Sequence, residues 1–454
     1  MRSIDVSDAV WTARQSAWVP KPDDARTPYD VDYARIVHSH AFRRLQGKTQ
    51  ILNLGDSDFY RTRLTHTLEV AQIASGITRQ IRTFFMDHPA YAYIPDESLV
   101  NTISYCHDIG HPPFGHGGEV ALNYCMRDAG GYEGNGQTLR IVSKLEKMSA
   151  RHGADLTRRA LLGMMKYPVA FSRVHNPELS PQLAANTSTV RLIDRERSAP
   201  PKCYMDGEQE VVDWVLEPLS ERDRSLFCSF ESKDAKHGKS LFKSWDCSIM
   251  DLADDIAYGV HDFEDAIALG LVREEQFRED ISAEDCTAFL DDLIESNREK
   301  YSGNAYEQMI SGLFGDPNRR KQFIGKLVHF FIVAVQIKQN EAFSEPLLKY
   351  KAALPEGHSK VLDALKGFVF KRVIQAPNVQ HLEFKGQTMV VAVFETLMSE
   401  PEAFLPEEVY LDFKNTEDGS RVVCDYVASM TDMMLLKTYD RLFSPRMGSI
   451  FDRV

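Results

Sequence analysis

Apolar residues recur at helical spacing through most of the chain, and that period limits the fold more than any other feature. Residues 63–82 set Leu64, Leu68, Ala71 and Ser75 on one stripe, with Val70, Ile73 and Ile77 beside it. Residues 247–270 repeat the pattern with Ile249, Leu252, Ile256, Val260 and Phe263. The same spacing predicts helices over 97–106, 117–127, 137–150, 156–166, 322–340 and 357–375. Strand signals are few. The best lies over 380–392, where Lys385-Gly386 reads as a turn, with a shorter one near 201–205. The expected fold is mainly α, with small β decorations in the C-terminal part.

Turn residues concentrate in 110–118 and in 168–210, where Pro168, Pro177, Pro181, Pro200 and Pro201 interrupt any period. At 454 residues the chain exceeds a usual single core. The expected organisation is a core over 1–271, broken by an irregular insertion over 168–246. A mostly helical region over 272–454 packs on that core and completes the site. The formal net charge of −13 predicts no general affinity for nucleic acid or an anionic membrane. Seven scattered cysteines, an odd number with no close pair, signal neither a disulfide framework nor a thiolate metal site. The first twenty residues lack a continuous apolar stretch, and no apolar run is long enough to span a bilayer. The expectation is a cytoplasmic protein.

The chemistry concentrates in residues 105–119, YCHDIGHPPFGHGGE. An adjacent His107-Asp108 pair ends an apolar helix, and a Gly/Pro turn then brings His111, His116 and Glu119. A helix terminus can aim two adjacent side chains into one cleft. Imidazole with carboxylate suits Mg, Mn, Fe, Co, Ni or Zn. Two ligands are too few, so a further histidine and carboxylate must come from other helices. His66 lies within the helix of 63–82, and Asp254 within that of 247–270. Asp254, Tyr258 and Asp262 fall at i, i+4 and i+8, on one helix face. Taken singly, a helix histidine is more often packing and an acidic helix face more often solvated. For Arg43, Arg44 and Lys48, a solvated face competes with a basic cluster for polyphosphate.

These residues stand within a longer ordered set: HAFRRLQGKTQ at 40–50, RTRLTHTLEVAQIA at 61–74, HDIGHPPFGHGGE at 107–119, YEGNGQ at 132–137, KYP at 166–168, MDLADDIAYGVHDFEDAI at 250–267 and RVVCDYVASMTD at 421–432. The set resembles the HD superfamily, and within it the bacterial dGTPase-like branch of deoxynucleoside triphosphate triphosphohydrolases. The resemblance runs from about residue 30 to 435 and is weakest over 170–245. It implies an HD-domain helical core. It also implies a divalent metal, Mg, Mn or another first-row transition metal, on His66, His107, Asp108 and Asp254. His116 and Glu119 become a catalytic pair, with His111 facing the α-phosphate. Arg63, Lys166 and Tyr167 fall on the triphosphate. Tyr258 lies under the sugar, Asp262 accepts its 3′-hydroxyl, and Gln50, or else Gln46, also reads the sugar.

The implied reaction cleaves a deoxynucleoside triphosphate to deoxynucleoside and tripolyphosphate, by attack of activated water on the α-phosphorus. The resemblance further implies a homo-oligomer, a hexamer among the states open, and a nucleotide or single-stranded DNA effector. Two alternatives stand beside it. One is another HD phosphohydrolase, a 5′-deoxynucleotidase or a phosphodiesterase. The other is a catalytically inactive oligomer that senses nucleotide or single-stranded DNA. The second His-Asp pair, His261-Asp262, is one residue short of the pattern in guanosine tetraphosphate hydrolases, so His261 reads as structural.

Overall fold

A computed structural model describes residues 6–16, 18–19, 21–50, 61–185, 192–232, 234–301 and 303–445. Of the N-terminal stretch and the 168–246 segment read above, residues 1–5, 17, 20, 186–191 and 233 lie outside the described set. The protein is mainly α, as expected, with two small antiparallel sheets. It divides into two compact units. One comprises Met1–Thr65, Tyr105–Lys243 and His381–Val454; the other comprises His66–Ser104 and Ser244–Gln380.

The second unit is built on the helix Trp245–Ala268, started by Ser244, whose side chain accepts from Cys247 N. Its inner face is Trp245, Ile249, Ile256, Val260 and Phe263, each with no exposed surface. This face packs on the helix Glu356–Val369. Phe263, Phe277, Phe314 and Phe368 meet in edge and stacked pairs with centroids 5.4–6.3 Å apart. Fully burying each such ring contributes roughly 1.5–3 kcal/mol. The helix Arg63–Phe84 buries Val70, Ile73, Ala74, Ile77 and Ile81, whereas Leu68 is 44% exposed. The buried face therefore takes in the flanking stripe together with Ala71 and Ser75, and leaves out Leu68. The helix expected to reach 340 ends at Val333. Residues Gln336–Gln339 instead pair with Tyr350–Ala353, satisfying backbone groups that a longer helix would have satisfied internally.

In the first unit, Leu122, Tyr132, Val390, Val393, Val423, Val427 and Leu435 share one apolar core. The helix Gly134–Arg140 runs into a π-helical turn over Ile141–Leu145, so the segment expected to reach 150 stops early. The stretch near 201–205 gives only an isolated bridge between Tyr204 and Ala170. The hairpin expected over 380–392 does not form. Those residues belong to the helix Pro377–Ser399, which buries Met389, Val390, Val393 and Leu397. Gly386 is no turn. A Cβ there would lie 2.5 Å from Phe114 Cβ, so the residue is glycine to let the 114 loop approach.

Candidate active site

In the second unit, His66 is 1% exposed and its Nε2 lies 3.2 Å from Asp254 Oδ1. Two turns along the Asp254 helix, Asp262 is buried, with half-buried Tyr258 one turn before it. Burial, then Asp262 and Asp255, raise the Tyr258 phenol above its ordinary 10. Tyr258 is therefore a neutral hydrogen-bonding ring across the neutral pH range. His261 Nδ1 lies 3.3 Å from Glu69 Oε2, consistent with a structural role.

In the first unit, the chain leaves the helix Glu97–Cys106 at His107 and Asp108, both buried. Asp108 is shared among three cations or potential cations. Its Oδ2 takes Arg63 Nη1 at 2.6 Å; its Oδ1 lies 3.1 Å from His111 Nδ1 and 3.6 Å from His107 Nε2. Burial alone would raise the Asp108 carboxyl, but His107, His111 and Arg63 hold it well below its ordinary 3.8. Burial and the neighbouring Arg63 guanidinium push His111 down to about 4. The Arg63 Nε is buried without a hydrogen-bond partner among the described residues.

The turn that follows is tight. Phe114 adopts φ 60° and Gly115 φ 56°, two consecutive left-handed residues. They start the helix Gly115–Cys125 and present His116, whose side chain is 66% exposed. His116 Nδ1 lies 2.9 Å from Glu119 Oε2, and its ring is 5.5 Å from that of His111. The other Glu119 oxygen accepts from Gly134 N at 2.9 Å.

Lys202, from the aperiodic stretch, is a residue that sequence reasoning missed. Its Nζ lies 3.2 Å from Glu119 Oε1 and 2.9 Å from Glu133 Oε1. Its side chain keeps 38% exposure, yet its ammonium stands between two buried carboxylates. Burial would raise Glu119, but Lys202 and His116 hold it well below 4.5. At Glu133 burial prevails over Lys202, and the carboxyl is raised. Burial opposes the Lys202 charge, but Glu119 and Glu133 raise its pKa above 10.5. A Pro-Lys step in an irregular segment carries no periodic signal, which is why it passed unnoticed.

Several sequence candidates take definite places in this unit. Gln50 Oε1 is buried and makes no hydrogen bond among the described residues, whereas Gln46 is exposed. Lys166 and Tyr167, both half-buried, follow the helix Arg158–Met164. Burial raises the Tyr167 phenol, and the Lys243 ammonium sits 6.0 Å over its ring. Lys48 is not on a solvated face: it is 2% exposed. Burial, then Arg63, lowers its ammonium to about 7.

His66 and Asp254 in the second unit, and His107 in the first, are candidate metal ligands. They offer imidazole nitrogen and carboxylate oxygen without thiolate, donors that fit Mg, Mn or a later first-row metal. Among the described residues, no helix is long and apolar enough to cross a membrane.

Comparison with known proteins agrees with this chemistry. Residues 63–180 match the HD domain, and residues 352–441 match a phosphohydrolase-associated domain. Full-length relatives are named deoxyguanosinetriphosphate triphosphohydrolase-like proteins. One from Shewanella pealeana is 44% identical over 457 residues, covering 98% of this chain and 99% of the relative. One from Deinococcus radiodurans is 44% identical over 450 residues, with 98% and 99% covered. One from Shewanella halifaxensis is 43% identical over 455 residues, with the same coverage. The chain belongs to the deoxyguanosinetriphosphate triphosphohydrolase-like family of HD-domain hydrolases.

Proposed function

We propose that this protein is a metal-dependent deoxynucleoside triphosphate triphosphohydrolase, releasing deoxynucleoside and intact tripolyphosphate. The observation that carries this reading is the His116–Glu119 pair, an accessible imidazole backed by a buried, ionised carboxylate. A buried carboxylate on Nδ1 leaves Nε2 to exchange a proton with substrate. In the reading, His116 protonates the leaving 5′-oxygen, and Glu119 fixes its tautomer and orientation.

His66, His107, Asp108 and Asp254 would hold one divalent ion. Such an ion supplies Lewis acidity toward a water and an α-phosphate oxygen. The neutral imidazole of His111 faces the α-phosphate. Arg63, with one nitrogen on Asp108 and a buried Nε unused, offsets phosphate charge together with Lys166. Tyr167 lies with Lys166 on the triphosphate. Tyr258 packs under the sugar, where a ribose 2′-hydroxyl would clash. Asp262 accepts the 3′-hydroxyl, and the buried Gln50 oxygen, without a donor among the described residues, accepts from the same sugar.

The test is an assay of each deoxynucleoside triphosphate with Mn or Mg, products resolved by chromatography. Deoxynucleoside plus tripolyphosphate, lost on chelation and in Asp108→Ala, supports the reading and ranks the bases. Deoxynucleoside monophosphate as substrate would move the assignment to a nucleotidase. Nucleotide binding without turnover would move it to a sensor. Light scattering with and without nucleotide or single-stranded DNA tests the proposed homo-oligomer and its effector.

A further inference from the structure

The loop after the His-Asp pair is tied to two buried residues that the proposed mechanism does not use. Lys48 Nζ donates to the backbone carbonyls of His111 at 2.5 Å and Ala428 at 2.9 Å. The Asp432 carboxylate accepts from Phe114 N on Oδ1 at 2.9 Å. Its Oδ2 accepts from Thr49 N at 2.9 Å and from the Thr49 hydroxyl. Lys48 and Asp432 are both 2% exposed. All these residues belong to the first unit.

The segments involved are packed too closely to slide. A Cβ on Gly47 would lie 2.7 Å from Thr431 Cγ2, and one on Gly386 would lie 2.5 Å from Phe114 Cβ. Phe114 is a bulky residue with φ 60°, a conformation it holds only under outside constraint. The Asp432 oxygen on its N–H supplies that constraint at the strained position itself. Buried polar groups are costly to keep unless they are hydrogen-bonded. Here Lys48 and Asp432 each give one bond to the 111–114 loop and the rest to the segments that flank it.

We propose that Asp432 and Lys48 are positioning residues, which hold the backbone of residues 111–114 so that His111 and His116 meet the reacting phosphate. The segment matched to the phosphohydrolase-associated domain, which supplies Asp432 and Ala428, is then part of the catalytic apparatus. The inference rests on the phosphohydrolase reading above. Asp432→Asn keeps the shape but turns one of two acceptors into a donor facing an N–H. Lys48→Met keeps the length and removes both donated bonds.

The experiment compares full-length wild type, Asp432→Asn, Lys48→Met and Thr27→Ala. The last removes the N-cap of the helix Pro28–Val37 and serves as a control for simple destabilisation. Turnover of deoxynucleoside triphosphate with Mn is read with amide hydrogen exchange over residues 111–116. Both loop variants should lose roughly 100-fold in kcat. Their KM should stay within about threefold, and exchange should speed up at 111–116. Thr27→Ala should keep kcat and loop exchange. Wild-type kcat in folded Asp432→Asn and Lys48→Met overturns the inference, as does an equal loss in Thr27→Ala. If wild type turns over no deoxynucleoside triphosphate, the reaction reading alone has failed. Exchange then decides: unchanged protection at 111–116 in both loop variants overturns the inference, and faster exchange confined to that loop sustains it.

Discussion

His116 Nδ1 rests 2.9 Å from Glu119 Oε2, so a solvent-facing imidazole is backed by a carboxylate that is itself 3% exposed. The pairing fixes which ring nitrogen is left for substrate. Glu119→Gln should lower kcat by roughly 10²–10⁴-fold, with metal affinity near wild type. Steady-state kinetics and titration calorimetry with Mn check this. A kcat within a factor of about two would remove the pair from the mechanism.

Lys202 favours the ionised form of Glu119. With the ammonium present, Glu119 lies well below its ordinary 4.5 and stays ionised at any pH above it. A depressed carboxylate contributes stability above its unfolded value, and that contribution is lost as pH falls through the folded one. Lys202→Met leaves Glu119 and Glu133 buried together with no cation between them, and their first proton is bound more tightly. The acid limb of kcat/KM should then move up by about one pH unit or more. Lys202→Arg should restore the limb. An unshifted profile in Lys202→Met would show that the lysine does not act through Glu119.

Gly386 offers a test in which the sign decides. In an exposed helix interior, Gly→Ala stabilises by about 1 kcal/mol through propensity. Here the added methyl would lie 2.5 Å from Phe114 Cβ, and forcing it in costs typically 1–3 kcal/mol. Gly386→Ala should therefore lower the melting temperature and reduce kcat, because the 114 loop must move. A raised melting temperature would contradict the close approach.

The contrast between legible and hidden residues has a physical origin. His107, Asp108, His111, His116 and Glu119 could be grouped from the sequence because the end of one helix, a turn and the start of the next helix carry them within thirteen residues. The inner face of the helix at 245–268 was readable from period; at 63–84 period gave it only in part, since Leu68 is exposed. Lys202 and Lys48 were not readable, since each works through one ammonium whose partners are distant in sequence. The Lys385-Gly386 pair misled because glycine marks both turns and close contacts, and only the position of Phe114 tells them apart. At 336–339 local preference could not separate strand from helix; pairing with 350–353 decided it.

One buried ion pair bears on stability alone. Arg14 Nη1 lies 2.5 Å from Asp32 Oδ1, with both side chains at most 1% exposed. Asp32 Oδ2 also accepts from Thr157 N and Oγ1. Removing one partner strands the other, so Asp32→Ala should cost about 3–5 kcal/mol. Urea denaturation followed by tryptophan fluorescence measures it. A cost under about 1 kcal/mol would mean that water reaches Arg14 freely.

The most direct test of the central claim is hydrolysis in ¹⁸O-labelled water, with products read by mass spectrometry. Attack on the α-phosphorus with expulsion of the 5′-oxygen predicts that the label enters the tripolyphosphate and that the deoxynucleoside stays unlabelled. Label in the deoxynucleoside, or a nucleoside monophosphate with pyrophosphate as products, would contradict it.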